Sequence, residues 1–268
     1  MIDMSKKALS GFLTLPEARD IEDIDNASTV ALHRRVIRKN RLLRELYRDF
    51  YHQLRKQCKD TPPGPRIEIG SGAGFIKDIM PDVITSDVVA CGLDMVVNAE
   101  KMPFADDSIS TLLLMNVLHH IPDQESFLRE AERCLKPGGK IVMIEPGNSP
   151  VRRFVCRYFH HEPFVNDRPE WRLPSSGRLS VSNQAIPWMI FIRDRNRFEQ
   201  RFPRLKVIRI KKHTPFRYFL SGGLSKRQMV PSFSSGTVKL IEWLLNPLNG
   251  IIGSFMTVVI EKEVSDEV

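Results

Sequence analysis

Residues 66–75 read Arg-Ile-Glu-Ile-Gly-Ser-Gly-Ala-Gly-Phe. Ile67 and Ile69 suit a buried strand end, and Gly70, Gly72 and Gly74 follow at every second position. Glycines so placed let the main chain approach a ligand closely, and the N–H groups of a helix starting next would point at it. That is the chemistry of a nucleotide site. A short apolar helix over 75–80, stopped by Pro81, is expected after the turn. Asp87, at the end of a strand over 83–88, belongs to the same chemistry. An ionised carboxylate is acceptor-only, so it can take both hydroxyl hydrogens of a ribose. Other residues could move protons. His119 and His120 follow the apolar run 110–118, and Glu145 ends a strand over 140–144. A histidine titrates near neutrality and can accept a proton from a hydroxyl, or it can simply shape a pocket. Residue type does not separate His119 from His120, and Glu145 reads equally well as a turn cap.

The spacing narrows the nucleotide. A dinucleotide fingerprint wants a small residue at position 75, where helix meets strand closely, and this chain has Phe75. The pattern Glu68-x-Gly70-x-Gly72-x-Gly74 instead resembles motif I of class I S-adenosylmethionine-dependent methyltransferases. Asn98-Ala-Glu-Lys-Met-Pro-Phe104, followed by Asp106-Asp107-Ser108, is similar to a segment of the subgroup typified by ubiquinone and menaquinone biosynthesis enzymes. The passage from Phe127 to Pro146, with Lys136-Pro-Gly-Gly139 inside it, resembles that subgroup most closely.

The resemblance implies a Rossmann-like α/β fold and S-adenosylmethionine as the methyl donor. It implies a cofactor site built from Glu68, Gly70, Ser71, Gly72, Gly74, Asp87, Val88, Asn98, Ala99, Asn116 and Val117. Asn116 would lie near the methionine moiety. His119 and His120 would stand at the boundary between cofactor and acceptor, with Glu145 beside the acceptor. The chain departs from the family at Asn98, where an Asp usually accepts from the adenine amino group. Asn98 can still accept through its carbonyl oxygen, without charge.

Around these residues the sequence places an open, mostly parallel seven-stranded sheet whose last strand is antiparallel, an order the resemblance supplies. Residues 1–60 form an acidic arm and a long basic amphipathic helix from Ser28 or Thr29 to about Gln57. Its apolar positions (Val36, Ile37, Leu43, Leu46, Tyr47, Phe50, Tyr51, Leu54) recur at three and four residues, which predicts a stripe packed on the domain. A membrane surface or an active-site cover are its other uses. Residues 61–149 form the cofactor-binding core. Only 89–93 separate the second strand from the next extended piece, too few for the usual crossover helix, so the third strand is expected to be rudimentary. Residues 150–204 read as an inserted lid in which aromatics interleave with arginines. Residues 205–268 supply a strand over 205–212, a Gly222-Gly223 turn, a helix over 237–248 and a closing strand over 255–261.

Composition bounds the rest. Four scattered cysteines without a CxxC pair read as reduced thiols, and no metal-ligand spacing is apparent, so metal-independent chemistry is expected. The N-terminus shows no apolar leader and the apolar window 240–260 is interrupted, so a cytoplasmic location is expected. Charge is uneven: 33–59 carries 10 Lys or Arg against 2 Asp or Glu, 60–149 carries 7 against 14, and 150–230 carries 18 against 5. Basic flanks around an acidic core suit a small, lipid-linked or glycan-linked anionic acceptor, or peripheral contact with a membrane. Solvated helix faces would give the same counts. No nucleic-acid module is recognised, which argues against nucleic acid. The rival reading is an inactive cofactor-binding protein that works through its basic helix.

Overall fold

A computed structural model describes residues 13–19, 23–160, 162–175 and 177–264. Most of the expected N-terminal arm lies outside the described residues. After a single helical turn at Pro16–Arg19 come two longer helices, α1 (Ser28–Lys39) and α2 (Arg41–Gln57). The single long helix expected there is broken at Asn40. Its backbone is extended (φ −91°, ψ 99°), its side chain accepts from Leu43 N–H, and its amide donates to Ser221 O at 2.7 Å. Asn at such a junction satisfies an N–H that the helix start leaves over.

The sheet follows. Its strands are β1 (Arg66–Ile69), β2 (Ile84–Asp87), β3 (Met95–Val96), β4 (Ile109–Met115), β5 (Leu135–Pro146), β6 (Leu205–His213) and β7 (Phe255–Lys262). Their spatial order is β3-β2-β1-β4-β5-β7-β6. The inner pairs are parallel, with Ile67 beside Ile84 and Leu112, and Leu112 beside Ile141. β7 slots between β5 and β6, antiparallel to both. This is the seven-stranded sheet expected. Strand β3 is indeed rudimentary, and no helix leads to it. Asp94 holds the short link instead: it accepts from Thr85 N–H and Oγ1 at 2.8 Å and pairs with Lys77.

Two apolar layers cover the sheet. On one face α2 buries Leu43, Leu46, Tyr47, Phe50, Tyr51 and Leu54 against Val142, Ile144 and Val259. The stripe packs on the domain and leaves the arginines of α2 outward. On the other face lie α3 (Gln124–Cys134), whose N-cap Asp123 accepts from Glu125 and Ser126 N–H, and the chain around 185–202. That second element corrects the view of 150–204 as a lid. Helix α4 (Pro150–Tyr158) and the loop after it contribute cavity-lining residues. The turn Ile186–Trp188, the π turn Met189–Arg193 and α5 (Arg195–Arg201) instead bury Ile186, Met189, Ile190, Phe191 and Phe198 in the main core.

The last helices are α6 (Arg217–Ser221) and α7 (Ser235–Leu244). Buried Glu242 ties them together by accepting from the Phe216 and Arg217 N–H groups. The other side of α7 is exposed and apolar, with Leu240, Trp243 and Leu244 outward and Phe233, Leu248 and Ile251 nearby. No helix among the described residues is long and apolar enough to cross a membrane.

Candidate active site

The carboxyl ends of the parallel strands open into a cavity of about 600 Å³. Its first end is the turn after β1. The three glycines there have different duties. A Cβ on Gly70 would sit 2.6 Å from the Val117 side chain, and one on Gly74 would sit 2.1 Å from Tyr51 Oη. Both are packing requirements. Gly72 (φ +48°) faces the cavity, with Asp87 Oδ2 3.7 Å from where its Cβ would be. That is the bare backbone a close ligand needs.

The expected helix over 75–80 is a single 3₁₀ turn, Ile76–Asp78, because Phe75 and Pro81 leave room for little more. Turn N–H groups are mostly taken. Ser71 N–H donates to Ser86 O, Gly74 N–H to Ser71 O, Phe75 N–H to Tyr51 Oη and Gly72 N–H to Asp87 Oδ2. A ligand here meets shape and carboxylates rather than a helix N-terminus.

Two carboxylates supply that chemistry. Glu68 is fully buried, lines the cavity, and its Oε2 has no hydrogen-bond partner. Burial pushes its carboxyl up to about 7; nearby Ser71 opposes the shift and Asp87 adds to it. An orphaned buried carboxyl oxygen beside an open glycine suits the ammonium of a methionine moiety. Asp87, at the end of β2, lies where a ribose carboxylate is expected, but it already has a partner. Arg178 Nε donates to Oδ1 at 3.0 Å and Nη2 reaches Oδ2 at 3.4 Å, while Nη1 donates to Thr29 Oγ1. Asp25 fixes that loop by accepting from Leu179 and Ser180 N–H.

The remaining expected cofactor residues gather around them. Ser71, Val117 and buried Ala99 line the cavity, as do exposed Val88 and Asn98. Asn98 Oδ1 accepts from Glu100 N–H at 2.9 Å, a turn contact that occupies part of its acceptor capacity. Asn116 ends β4 in the left-handed region (φ 58°), which turns its side chain off the strand at the cavity wall.

The far end is built from distant segments. His119 and His120 sit on the single turn Leu118–His120 after β4. Glu145 is expected beside the acceptor, and the structure corrects that placement. It is fully buried and is not among the cavity-lining residues. Its Oε1 accepts from Val117 and Leu118 N–H at 2.8 Å each, and its Oε2 meets His119 Nδ1 at 2.7 Å. Glu145 therefore positions the histidine turn.

Glu162, which the sequence did not single out, does face the cavity. Its Oε2 lies 3.3 Å from His119 Nε2 and 3.8 Å from His120 Nε2, and accepts from Gln184 Nε2 at 2.8 Å. Burial disfavours an imidazolium at His119, yet Glu145 and Glu162 outweigh it and raise the ring to about 9. Burial would likewise raise Glu162, but the three histidines around it hold it well below the usual carboxylate range.

Arg152, buried on α4, completes this end. Its guanidinium lies over the Phe255 ring and donates to Gln184 Oε1, while its buried Nε lacks a hydrogen-bond partner. Tyr47 from α2 and Leu224, Ser225 and Lys226 after α6 close the walls. Gly222 (φ 78°) and Gly223 (φ 58°) turn the chain there without lining the cavity themselves.

Residues 67–143 match the family described as a methyltransferase domain. A ubiquinone/menaquinone biosynthesis C-methyltransferase from Vibrio vulnificus (strain YJ016) is 23% identical over 229 residues, which cover 70% of this chain and 86% of the relative. A demethylmenaquinone methyltransferase from Bacillus velezensis is 34% identical over 93 residues, covering 34% of this chain and 37% of the relative. A solved S-adenosylmethionine-dependent methyltransferase from Thermotoga maritima has a TM-score of 0.49 at 15% identity, covering 88% of this chain and all of that one.

Proposed function

We propose that this chain is a class I S-adenosylmethionine-dependent methyltransferase that methylates an anionic small-molecule or lipid- or glycan-linked acceptor at the His119–Glu162 end of its cavity. One observation carries the reading. A single cavity runs from Gly72, Glu68 and Asp87 to His119, His120, Glu162 and Arg152, so a donor and an acceptor would share one enclosed space. S-adenosylmethionine supplies a methyl group on a sulfonium, and transfer is an in-line displacement by the acceptor's nucleophile. Holding the two in line is what the protein contributes most.

Each residue has a part in this reading. Gly72 admits the main-chain approach, Glu68 takes the ammonium, and Asp87 takes the ribose hydroxyls. Val88, Asn98 and Ala99 border the adenine. Ser71, Gly70 and Gly74 shape the turn, and Asn116 and Val117 wall the methionine. A protonated acceptor passes its proton to His120, which stands beside the His119–Glu162 pair that Glu145 holds in place. The unpartnered Nε of buried Arg152 favours an acceptor with a carboxylate or phosphate oxygen, since a buried guanidinium N–H left alone is costly. Carbon is one candidate nucleophile, as the relatives are named C-methyltransferases; oxygen and nitrogen are others.

Peripheral membrane contact is part of the proposal for a lipid-linked acceptor. The exposed ridge of Phe233, Leu240, Trp243, Leu244 and Ile251 supports it, beside the basic segments. Sedimentation with anionic liposomes at low and high salt tests this, and absence of binding at both would remove it.

The deciding experiment has two arms. Calorimetry with S-adenosylmethionine and its demethylated product should give binding of both. Labelled methyl should then pass to a fraction of cell extract. Binding without transfer to any fraction would favour the inactive docking protein.

A further inference from the structure

Three Lewis bases from two separate segments converge at the acceptor end. One donor atom each from His119, His120 and Glu162 lies within 4.8 Å of the other two. The contacts to Glu162 Oε2 are 3.3 Å from His119 Nε2 and 3.8 Å from His120 Nε2. Two ligands of a tetrahedral ion, each about 2.0–2.2 Å from it, stand roughly 3.3–3.6 Å apart. The first contact falls in that range and the second lies just beyond it, so small side-chain shifts would close a coordination face.

Its supports point the same way. His119 Nδ1 is committed to Glu145 Oε2, and the other Glu145 oxygen is locked by two backbone N–H groups. A carboxylate behind the ring fixes which nitrogen is left for a metal. His119 Nε2 then faces a Glu162 carboxylate oxygen 3.3 Å away, a separation that a proton spans as a hydrogen bond and that an ion can span as a bridge. Gln184 Nε2, donating to Glu162 Oε2, orients the carboxylate from the side. His160, near Gln184, is the further imidazole at this end.

We propose that His119, His120 and Glu162 bind a divalent transition-metal ion, with a remaining coordination position open to the cavity. Two imidazoles and one carboxylate suit Zn²⁺, with Fe²⁺ and Mn²⁺ next. The open position would take an oxygen of the acceptor, so the acceptor carries a hydroxyl, carboxylate or phosphate near the atom to be methylated. A hydroxyl on such an ion ionises more readily. This last step rests on reading this end as the acceptor's; the metal site itself does not.

The test is calorimetric titration of chelator-stripped protein with Zn²⁺, repeated by absorbance with Co²⁺. The wild type should take up one ion tightly. Glu162→Gln and His120→Asn should each weaken uptake by about 100-fold or more, and Glu145→Gln by roughly 10- to 100-fold. Circular dichroism and thermal melts of the same samples should show that each variant is folded, so that lost uptake is not lost structure. The proposal is overturned if the wild type binds no more Zn²⁺ than the Glu162→Gln, His120→Asn double variant. Failure of the wild type to bind S-adenosylmethionine would instead strike the functional reading, and the metal titration would still be judged by itself.

Discussion

The two ends of the cavity are built differently. The end proposed for the cofactor is local in the chain: Glu68, Gly72, Asp87 and Asn98 lie within about thirty residues, on β1 and β2 and in the turns after β1 and β3. The acceptor end joins His119, Arg152, Glu162, Gln184 and Lys226, which come from five separate places in the sequence. The near end works by main-chain shape and carboxylates, the far end by imidazole, guanidinium and one carboxylate. A local site keeps its chemistry in a short spacing. A distributed site keeps it only in the packing of α4 and the loop after it.

The strongest test of the contrast is Gly72→Val. The substitution forces a β-branched residue into φ +48° and puts its methyls into the cavity beside Asp87. S-adenosylmethionine affinity should fall by more than about 100-fold, with an unfolding cost of only about 1–2 kcal/mol from the left-handed backbone. Gly74→Ala should do the reverse. Its Cβ would strike Tyr51 Oη and Ser71 O, so thermal stability should drop while whatever folds still binds. If calorimetry finds the two variants alike, the split between ligand-facing and packing glycines is wrong.

Glu68 gives the next largest effect, and it is a pH effect. Its carboxyl is raised from an ordinary 4.5 to about 7 by burial. Between those values the unfolded chain has lost the proton and the native chain keeps it. Stability is therefore greatest below the lower value and falls as pH rises toward 7, by roughly 3 kcal/mol from this group. Glu68→Gln should flatten that slope in urea melts. A bound ammonium would favour the charged form, so binding at pH 6 should release protons, seen as a heat that changes with the buffer.

The far end has its own test in Arg152→Met. This puts an uncharged chain of similar length beside Phe255 in place of the guanidinium. Cofactor affinity should be untouched, while kcat/KM for the acceptor should drop about 10- to 100-fold, the range for a hydrogen bond to a charged group. Loss of cofactor binding instead would mean that the two ends are not separate.

The same contrast explains what the sequence could tell. The sheet was legible because buried runs such as Leu112–Leu113–Leu114 and alternation in β6 have clear periods. The α2 stripe was legible for the same reason. The break at Asn40 had a signal, a good N-cap residue between basic helix formers, that the longer periodicity overrode. The apolar run Ile186 to Phe191, with Phe198 and Phe202 beyond it, was a core signal inside a segment otherwise read as a lid. Glu162 and Arg178 had none. They sit in extended, irregular chain, and their importance arises only from contacts with His119 and Asp87, each more than forty residues away. His160 beside Glu162 was a hint of polar chemistry, without a partner that spacing could name.

Arg178 is where the two ends meet, and it predicts the smallest effect with the most informative sign. It comes from the distributed half of the chain, yet its guanidinium forks onto Asp87, the carboxylate we propose for the ribose. Both partners are largely buried, at 10% and 4% side-chain exposure, so the pair is not a screened surface contact. A ligand hydroxyl reaching Asp87 must share the oxygens with Arg178 or displace it, and displacement leaves a cation to be rehydrated. Asp87 also keeps its bond from Gly72 N–H, so removing the arginine should not collapse the turn. Arg178→Ala should therefore raise S-adenosylmethionine affinity, by a few-fold up to about tenfold, where tenfold corresponds to roughly 1.4 kcal/mol. Asp87→Ala should lower it in the same assay. A fall in affinity for Arg178→Ala would show that the arginine binds the cofactor itself, and the boundary between the two ends would move to include it.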